Sequence, residues 1–150
     1  GMVDTERTGE LVRLAGPMQV TFHRAFDMCP DPVKGLEDII NTRSNRILTS
    51  GHKNNAVDGL ELIAQLVKLA GNRIIIMPGG GLNINNIKEV IFKSKANEFH
   101  LTGRSLTDSK MEYRRDDIFM GGYPEVKEYS RKVADISIIE KIAVIIKQQE

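Results

Sequence analysis

The chain has 150 residues, 41% of them hydrophobic and 27% charged, the usage of an ordinary globular domain, so disorder and fibrous repeats are excluded. Lys and Arg number 21 against 20 Asp and Glu, a formal charge of +1. No block of five like charges occurs, which leaves nucleic acid and membrane surfaces without an electrostatic footprint as partners. The longest apolar runs, Ile74–Met77 and Ile142–Ile146, fall far short of the ~20 residues that span a bilayer. The single cysteine, Cys29, excludes a disulfide framework and a four-cysteine zinc site within one chain. With an acidic and polar start at Asp4 to Arg7 in place of a signal peptide, the expectation is one cytoplasmic domain over residues 1–150.

The predicted elements alternate. A flanking helix is expected over Thr5–Ala15, then a strand over Met18–His23. Asp31 before Pro32 reads as an N-cap and first-turn proline, opening a helix to Asn41 with Val33, Leu36, Ile39 and Ile40 on one face. Arg46–Ser50 reads as the next strand. Ala56–Ala70 follows as a helix, its apolar residues at steps of three and four and Gly71-Asn72 as its stop. Arg73–Met77 is a continuous apolar run of the kind a doubly buried strand shows. A helix over Ile84–Lys95, with Asn83 as its cap, a strand over Glu98–Thr102 and a last helix over Ser137–Gln149 complete the chain.

Successive strands start 28, 27 and 25 residues apart (Met18, Arg46, Arg73, Glu98), the interval of one strand, one crossover helix and two short loops. This is an α/β fold with a parallel sheet. Four βα units are too few for a closed eight-stranded barrel, which takes ~200 residues or more. The architecture is therefore a small open sheet or a half or truncated (β/α) barrel of the TIM type.

In either case ligands gather where the strands end. Those places are His23-Arg24-Ala25-Phe26-Asp27, Thr49-Ser50-Gly51-His52, Pro78-Gly79-Gly80-Gly81 and His100 to Ser105, and they hold all three histidines of the chain. His23, Ser50 and His100 are expected to converge in one cleft. His23 with Arg24 and Asp27, and His100, are candidates for proton transfer; the plainer reading is an Arg24–Asp27 pair that braces its loop. Gly79, Gly80 and Gly81, with Gly103 and Arg104 on the next loop, could hold an anion through backbone N–H groups, or the glycines only make a tight turn. Cys29, with Met28 and His23 nearby, offers soft donors of the type Cu(I) accepts, or is a buried spectator thiol. Arg114 and Arg115 read as a solvated or salt-bridged surface.

Val20-Thr21-Phe22-His23-Arg24-Ala25-Phe26-Asp27, Arg46-Ile47-Leu48-Thr49-Ser50-Gly51, Ile76-Met77-Pro78-Gly79-Gly80-Gly81, Glu98-Phe99-His100 and Met111-Glu112-Tyr113-Arg114 together resemble the motif series of the CutC copper homeostasis proteins, in the same order. The Pro-Gly-Gly-Gly form is more similar to the animal branch. The resemblance implies a cytoplasmic (β/α) barrel associated with copper tolerance, with copper as the suspected cofactor. It also implies that these motifs form the C-terminal half of a barrel of roughly 250 residues, whose usual copper cysteines lie in the other half. A half-barrel leaves two bare strand edges, and a face built from Val20, Phe22, Ile47, Ile74, Ile76 and Phe99 without cover. The expected partner is a second copy or the N-terminal half. The alternative function is a barrel enzyme acting on a small phosphorylated or carboxylated metabolite.

Overall fold

The structure is a computed structural model and describes residues 1–120 and 127–148. Three parallel strands, β1 (Thr21–Phe22), β2 (Arg46–Thr49) and β3 (Ile75–Pro78), lie in chain order in one sheet. Helices α1 (Thr5–Ala15), α2 (Pro32–Asn41), α3 (Leu60–Ala70) and α4 (Ile87–Ser94) alternate with them. A two-stranded antiparallel hairpin of β4 (Arg104–Asp108) and β5 (Ser130–Ala134) follows, and α5 (Ile136–Lys147) closes the described chain. Among the described residues no helix is long and apolar enough to cross a membrane.

Local chemistry sets the helix starts. Asp31 accepts from the backbone N–H groups of Val33 (2.9 Å) and Lys34 (3.0 Å), with Pro32 at the first turn of α2. Asp135 caps α5 through Ser137 and Ile138, one residue earlier than the expected start; the expected end at Gln149 lies outside the described residues. Helix α3 begins at Leu60 rather than Ala56, and α4 at Ile87 rather than Ile84. Asn83 does not cap α4: its side chain accepts from Asn85 N–H within the preceding turn, which uses up the residues that periodicity had assigned to the helix.

Register fixes which side chains meet the helices. Phe22, Ile47 and Ile76 are aligned across the sheet, and Ile47 and Ile76 join Leu36, Ile39, Ile63, Leu66, Ile87, Val90 and Ile142 in one core. The alternate row, Thr21, Arg46 and Ile75, with Leu48 and Met77 above it, stays exposed or half-buried. The expectation for the bare face is thus reversed. Phe22, Ile47, Ile74 and Ile76 are covered by the chain's own helices, and the row offset by one residue is the open one. Side chains alternate with a period of two, so the more apolar row takes the available cover.

The expected fourth strand is also corrected. Glu98–Thr102 contributes one parallel bridge, Gly79 to His100, with His100 N–H donating to Pro78 O at 2.9 Å. Phe99 and Leu101 pack against the core while His100 and Thr102 face outward, so the segment is extended but barely paired. The strand pairing that follows is that of β4 with β5, over five residue pairs. Most of its side chains are exposed, and a ladder held by backbone bonds rather than burial carries little hydrophobic signature.

Candidate functional site

Asp27 organises the carboxyl end of the sheet. It sits in a short 3-10 helix, Arg24–Met28, entered directly from β1, and its side chain is 6% exposed. Oδ1 accepts from Thr49 Oγ1 (2.5 Å), Ser50 N–H (3.1 Å) and His52 N–H (3.2 Å). Oδ2 accepts from Arg24 Nε (2.7 Å) and Ser50 Oγ (2.9 Å). Burial alone would raise its pKa, but the hydrogen bonds from Thr49, Arg24 and Ser50 outweigh it and hold the carboxyl below the ordinary aspartate value. The loop after β1 and the loop after β2 are thereby tied through one ionised group.

That tie fixes an unusual backbone. Gly51 and His52 both have positive φ, 69° and 58°. A Cβ on Gly51 would lie 2.3 Å from Gly59 O, and one on Gly59 would lie 2.0 Å from Ser50 O, so the two backbones approach only because both residues are glycine. Histidine tolerates the left-handed region better than most residues. Its placement turns the ring toward the 3-10 helix, edge-on to Phe26 with centroids 5.3 Å apart.

Nε2 of His52 then lies 3.6 Å from Sγ of Cys29. Cys29 is buried, and its sulfur also contacts Asp31 O at 3.4 Å as a donor. Burial raises the thiol pKa, and the charges of Asp31 and Asp27 add to the rise. A thiol held protonated is a poor nucleophile, so the pair does not read as a catalytic dyad. It is a soft donor beside an imidazole.

The candidates from sequence separate here. Arg24 and Asp27 form the bracing pair, but Asp27 makes no bond to His23, whose Nδ1 accepts from Ala25 N–H at 3.0 Å and caps the 3-10 helix. Ser50 is buried in the Asp27 cluster, while His23 and His100 are exposed, and no hydrogen bond or ring contact joins the three among the described residues. Met28 is 78% exposed and His23 is turned to its own loop, so the imidazole beside Cys29 is neither neighbour in sequence but His52.

The glycine loops also part company. Gly80 (φ 105°) faces Arg24, whose Nη1 is 3.1 Å from where a Cβ would stand, and Gly81 (φ 77°) faces Asn55. Gly79 gives room to Leu48 and His100. Gly103 is packed on Ile139 of α5, and Arg104 opens β4. Arg114 pairs with Asp108 and Arg115 with Asp117, a salt-bridged surface.

Among the described residues no three His, Cys, Asp or Glu side chains are grouped to hold a metal ion. The donor set that a metal could use is Cys29 and His52. It fits a soft monovalent ion such as Cu(I) and does not supply the three or four protein ligands of a zinc site.

Comparison with known proteins supplies the context. The mouse copper homeostasis protein cutC homolog is 42% identical over 147 residues, 98% of this chain and 54% of the mouse protein. The human homolog of the same name is 40% identical over 147 residues, again 98% of this chain and 54% of that protein. A CutC family protein from Parabacteroides distasonis is 49% identical over 121 residues, 81% of this chain and 50% of its own length. The solved structure of CutC from Streptococcus agalactiae matches with a TM-score of 0.61 at 30% identity, covering 66% of this chain and 49% of that one. The chain spans about half the length of the curated relatives it matches. With the family profile matched over residues 1–105, the strand-end motifs and the three-stranded parallel sheet have their explanation: the chain belongs to the CutC family.

Proposed function

We propose that this protein acts in copper homeostasis and that its cargo is Cu(I), handled in the reducing cytoplasm. The observation that carries the reading is the thiol of Cys29 beside the imidazole of His52, 3.6 Å apart, in a family whose curated relatives bear the copper homeostasis name. Thiolate and imidazole are the protein donors that soft cuprous ions prefer. Anaerobic competition against a chromophoric Cu(I) chelator tests it. The wild-type chain is expected to withdraw Cu(I) from the chelator. No withdrawal beyond a protein-free blank defeats the reading.

We further infer that the fold is part of a (β/α) barrel of the TIM type. Chain-order parallel strands with helices on one face support this, as does the match to about half of a CutC structure. The row of Leu48 and Met77 then faces the barrel interior, and the rest of the barrel comes from a second copy or from an N-terminal half.

A second reading is an enzyme acting on a small phosphorylated or carboxylated molecule. The approach of Gly80 to Arg24 Nη1 favours it, since backbone N–H groups and a guanidinium together suit an anion. Arg24 is already neutralised by Asp27 at 2.7 Å, which ranks it second. Chemical shifts of Gly80 and Gly81 moving on phosphate addition would raise it.

A further inference from the structure

We propose that α5 is a docking surface for a second copy of this chain. The two helices cross antiparallel about a two-fold axis at Ala143, with Ile139 facing the partner's Ile146 and Glu140 facing the partner's Lys147. The inference is independent of the copper reading.

Helix α5 carries more apolar residues than one buried stripe needs. Ile138, Ile142 and Ile145, at steps of three and four, are the stripe packed on the core. Ile136, Ile139, Ala143 and Ile146 repeat the same steps roughly a third of a turn further round the helix. This second stripe is open: Ile136 is 72% exposed, Ile139 is exposed, and Ala143 and Ile146 are half-buried. Ile146 shares a groove of about 380 Å³ with Ile91, Phe92 and Phe99, and Phe92 of α4 is 69% exposed. The apolar patch thus continues from α5 onto α4. The flank of α5 on the other side is polar, with Ser137, Lys141 and Gln148 all exposed. On the barrel reading the next helix lies along that polar flank, so the apolar stripe is left for another occupant.

A second copy is singled out because the pattern is its own complement. Ile139 stands four residues before Ala143 and Ile146 three after it; Glu140 stands three before and Lys147 four after. Across a two-fold axis at Ala143, antiparallel helices bring equal distances before and after into register. Each Ile139 then lies opposite an Ile146, and each Glu140 opposite a Lys147, to within one residue or ~1.5 Å. A parallel pairing would set Glu140 against Glu140. Glu140 and Lys147 are exposed and have no hydrogen-bond or ion-pair partner among the described residues. Seven residues apart, they do not meet on their own helix. Ala143, small and at the crossing, lets the two backbones come close. One helix seam is small beside the ~1,200–2,000 Å² of stable interfaces, so the dimer is a weak one, with a micromolar dissociation constant.

The test is sedimentation of the full chain at tens of micromolar and low salt, in the wild type and in Leu48→Asn, which weakens association through the open sheet face. A monomer–dimer equilibrium that persists in Leu48→Asn is expected. Glu140→Lys should weaken the dimer about tenfold, because two exposed attractive pairs become repulsive. Adding Lys147→Glu to the same chain sets opposite charges face to face again and should restore the dissociation constant to within about twofold. Ala143→Cys should give a disulfide-linked dimer on mild oxidation, since two residues on the axis lie within disulfide reach. Lys141→Cys, on the polar flank, should not, and the native Cys29 is buried. Thermal melting confirms that each variant is folded. A chain that stays monomeric overturns the proposal. So does a dimer that Leu48→Asn alone abolishes, or one that Glu140→Lys leaves unchanged. Failure of Lys147→Glu to rescue Glu140→Lys overturns the two-fold register. If Ala143→Cys does not fold, the charge reversals decide, both of them at exposed positions.

Discussion

Ile47 and Leu48 are neighbours in β2 with nearly the same chemistry and different fates. Ile47 is fully buried among helical side chains; Leu48 is half-buried on the opposite face, where its row includes Met77 and the row below it holds the Arg46–Glu98 ion pair. One face of the sheet is a finished core. The other is of mixed character, part apolar and part charged, and no element of the described chain is laid across it. Burial of a strand residue is therefore a property of its face, not of its hydrophobicity. The closed face belongs to the stability of this chain, and the open face to whatever completes the barrel.

The largest expected effect is on the closed face. Ile47→Ala removes a fully buried side chain and should cost about 2–5 kcal/mol through lost transfer energy and the cavity left behind. Urea unfolding of the pair Ile47→Ala and Leu48→Ala measures the contrast directly. Equal losses would break the comparison.

Next is the clamp where the sheet meets its loops. Asp27→Asn replaces an acceptor-only group by one that donates on one side, against Thr49, Ser50, His52 and Arg24, which all donate to it. The loss should be about 2–3 kcal/mol, with the contribution of Arg24 discounted because its side chain is 39% exposed. His52 should lose its fixed position, seen as a shifted imidazole resonance, while the Ile47 core remains intact.

Acid should reproduce part of that loss. The folded Asp27 carboxyl has a lowered pKa, so the unfolded chain takes up its proton first. The stabilisation is fully present above the unfolded value near 3.9. It declines as pH falls below that value and is gone once pH passes the folded one. Melting temperature against pH, wild type minus Asp27→Asn, should show the difference shrinking across that window.

The smallest effect on stability is expected at Leu48→Ala, below about 1 kcal/mol, because the half-buried side chain gives up little covered area. Its effect on association should be larger. Sedimentation of the wild-type chain at tens of micromolar is expected to show self-association through the open face, and Leu48→Asn should reduce it. A wild type that stays monomeric at that concentration would mean the open face is tolerated bare.

Much of this molecule is local enough to be legible in the sequence. Asp31-Pro32 opened α2 where it should, the three strands appeared in order, and the Arg24–Asp27 pair was visible from its spacing. The cover of the sheet was not legible: Phe22, Ile47, Ile74 and Ile76 do share one face, as their alternation implied, but the chain's own helices close that face rather than leave it bare. The hairpin of β4 and β5 escaped because its strands are mostly exposed. His52 was noticed at a strand end, yet not as the partner of Cys29, since 23 residues separate them and adjacency in sequence pointed to His23 and Met28. The usable signal was topological: both residues lie just past the ends of strands that pair with one another.

What the sequence by itself determined is therefore the family, the alternation of helix and strand, and the gathering of polar residues at the carboxyl edge. These follow from periodicity, capping and motif strings, all of them short-range. Only the tertiary structure decided which face of the sheet is closed, that Asp27 accepts from two loops at once, and that Cys29 meets His52. Each of those depends on strand register and on the left-handed turn at Gly51 and His52, where the Gly51–Gly59 backbone contact and the Asp27 carboxylate fix the chain path. A displacement of one residue in register, or of one φ angle, would point the same side chains elsewhere.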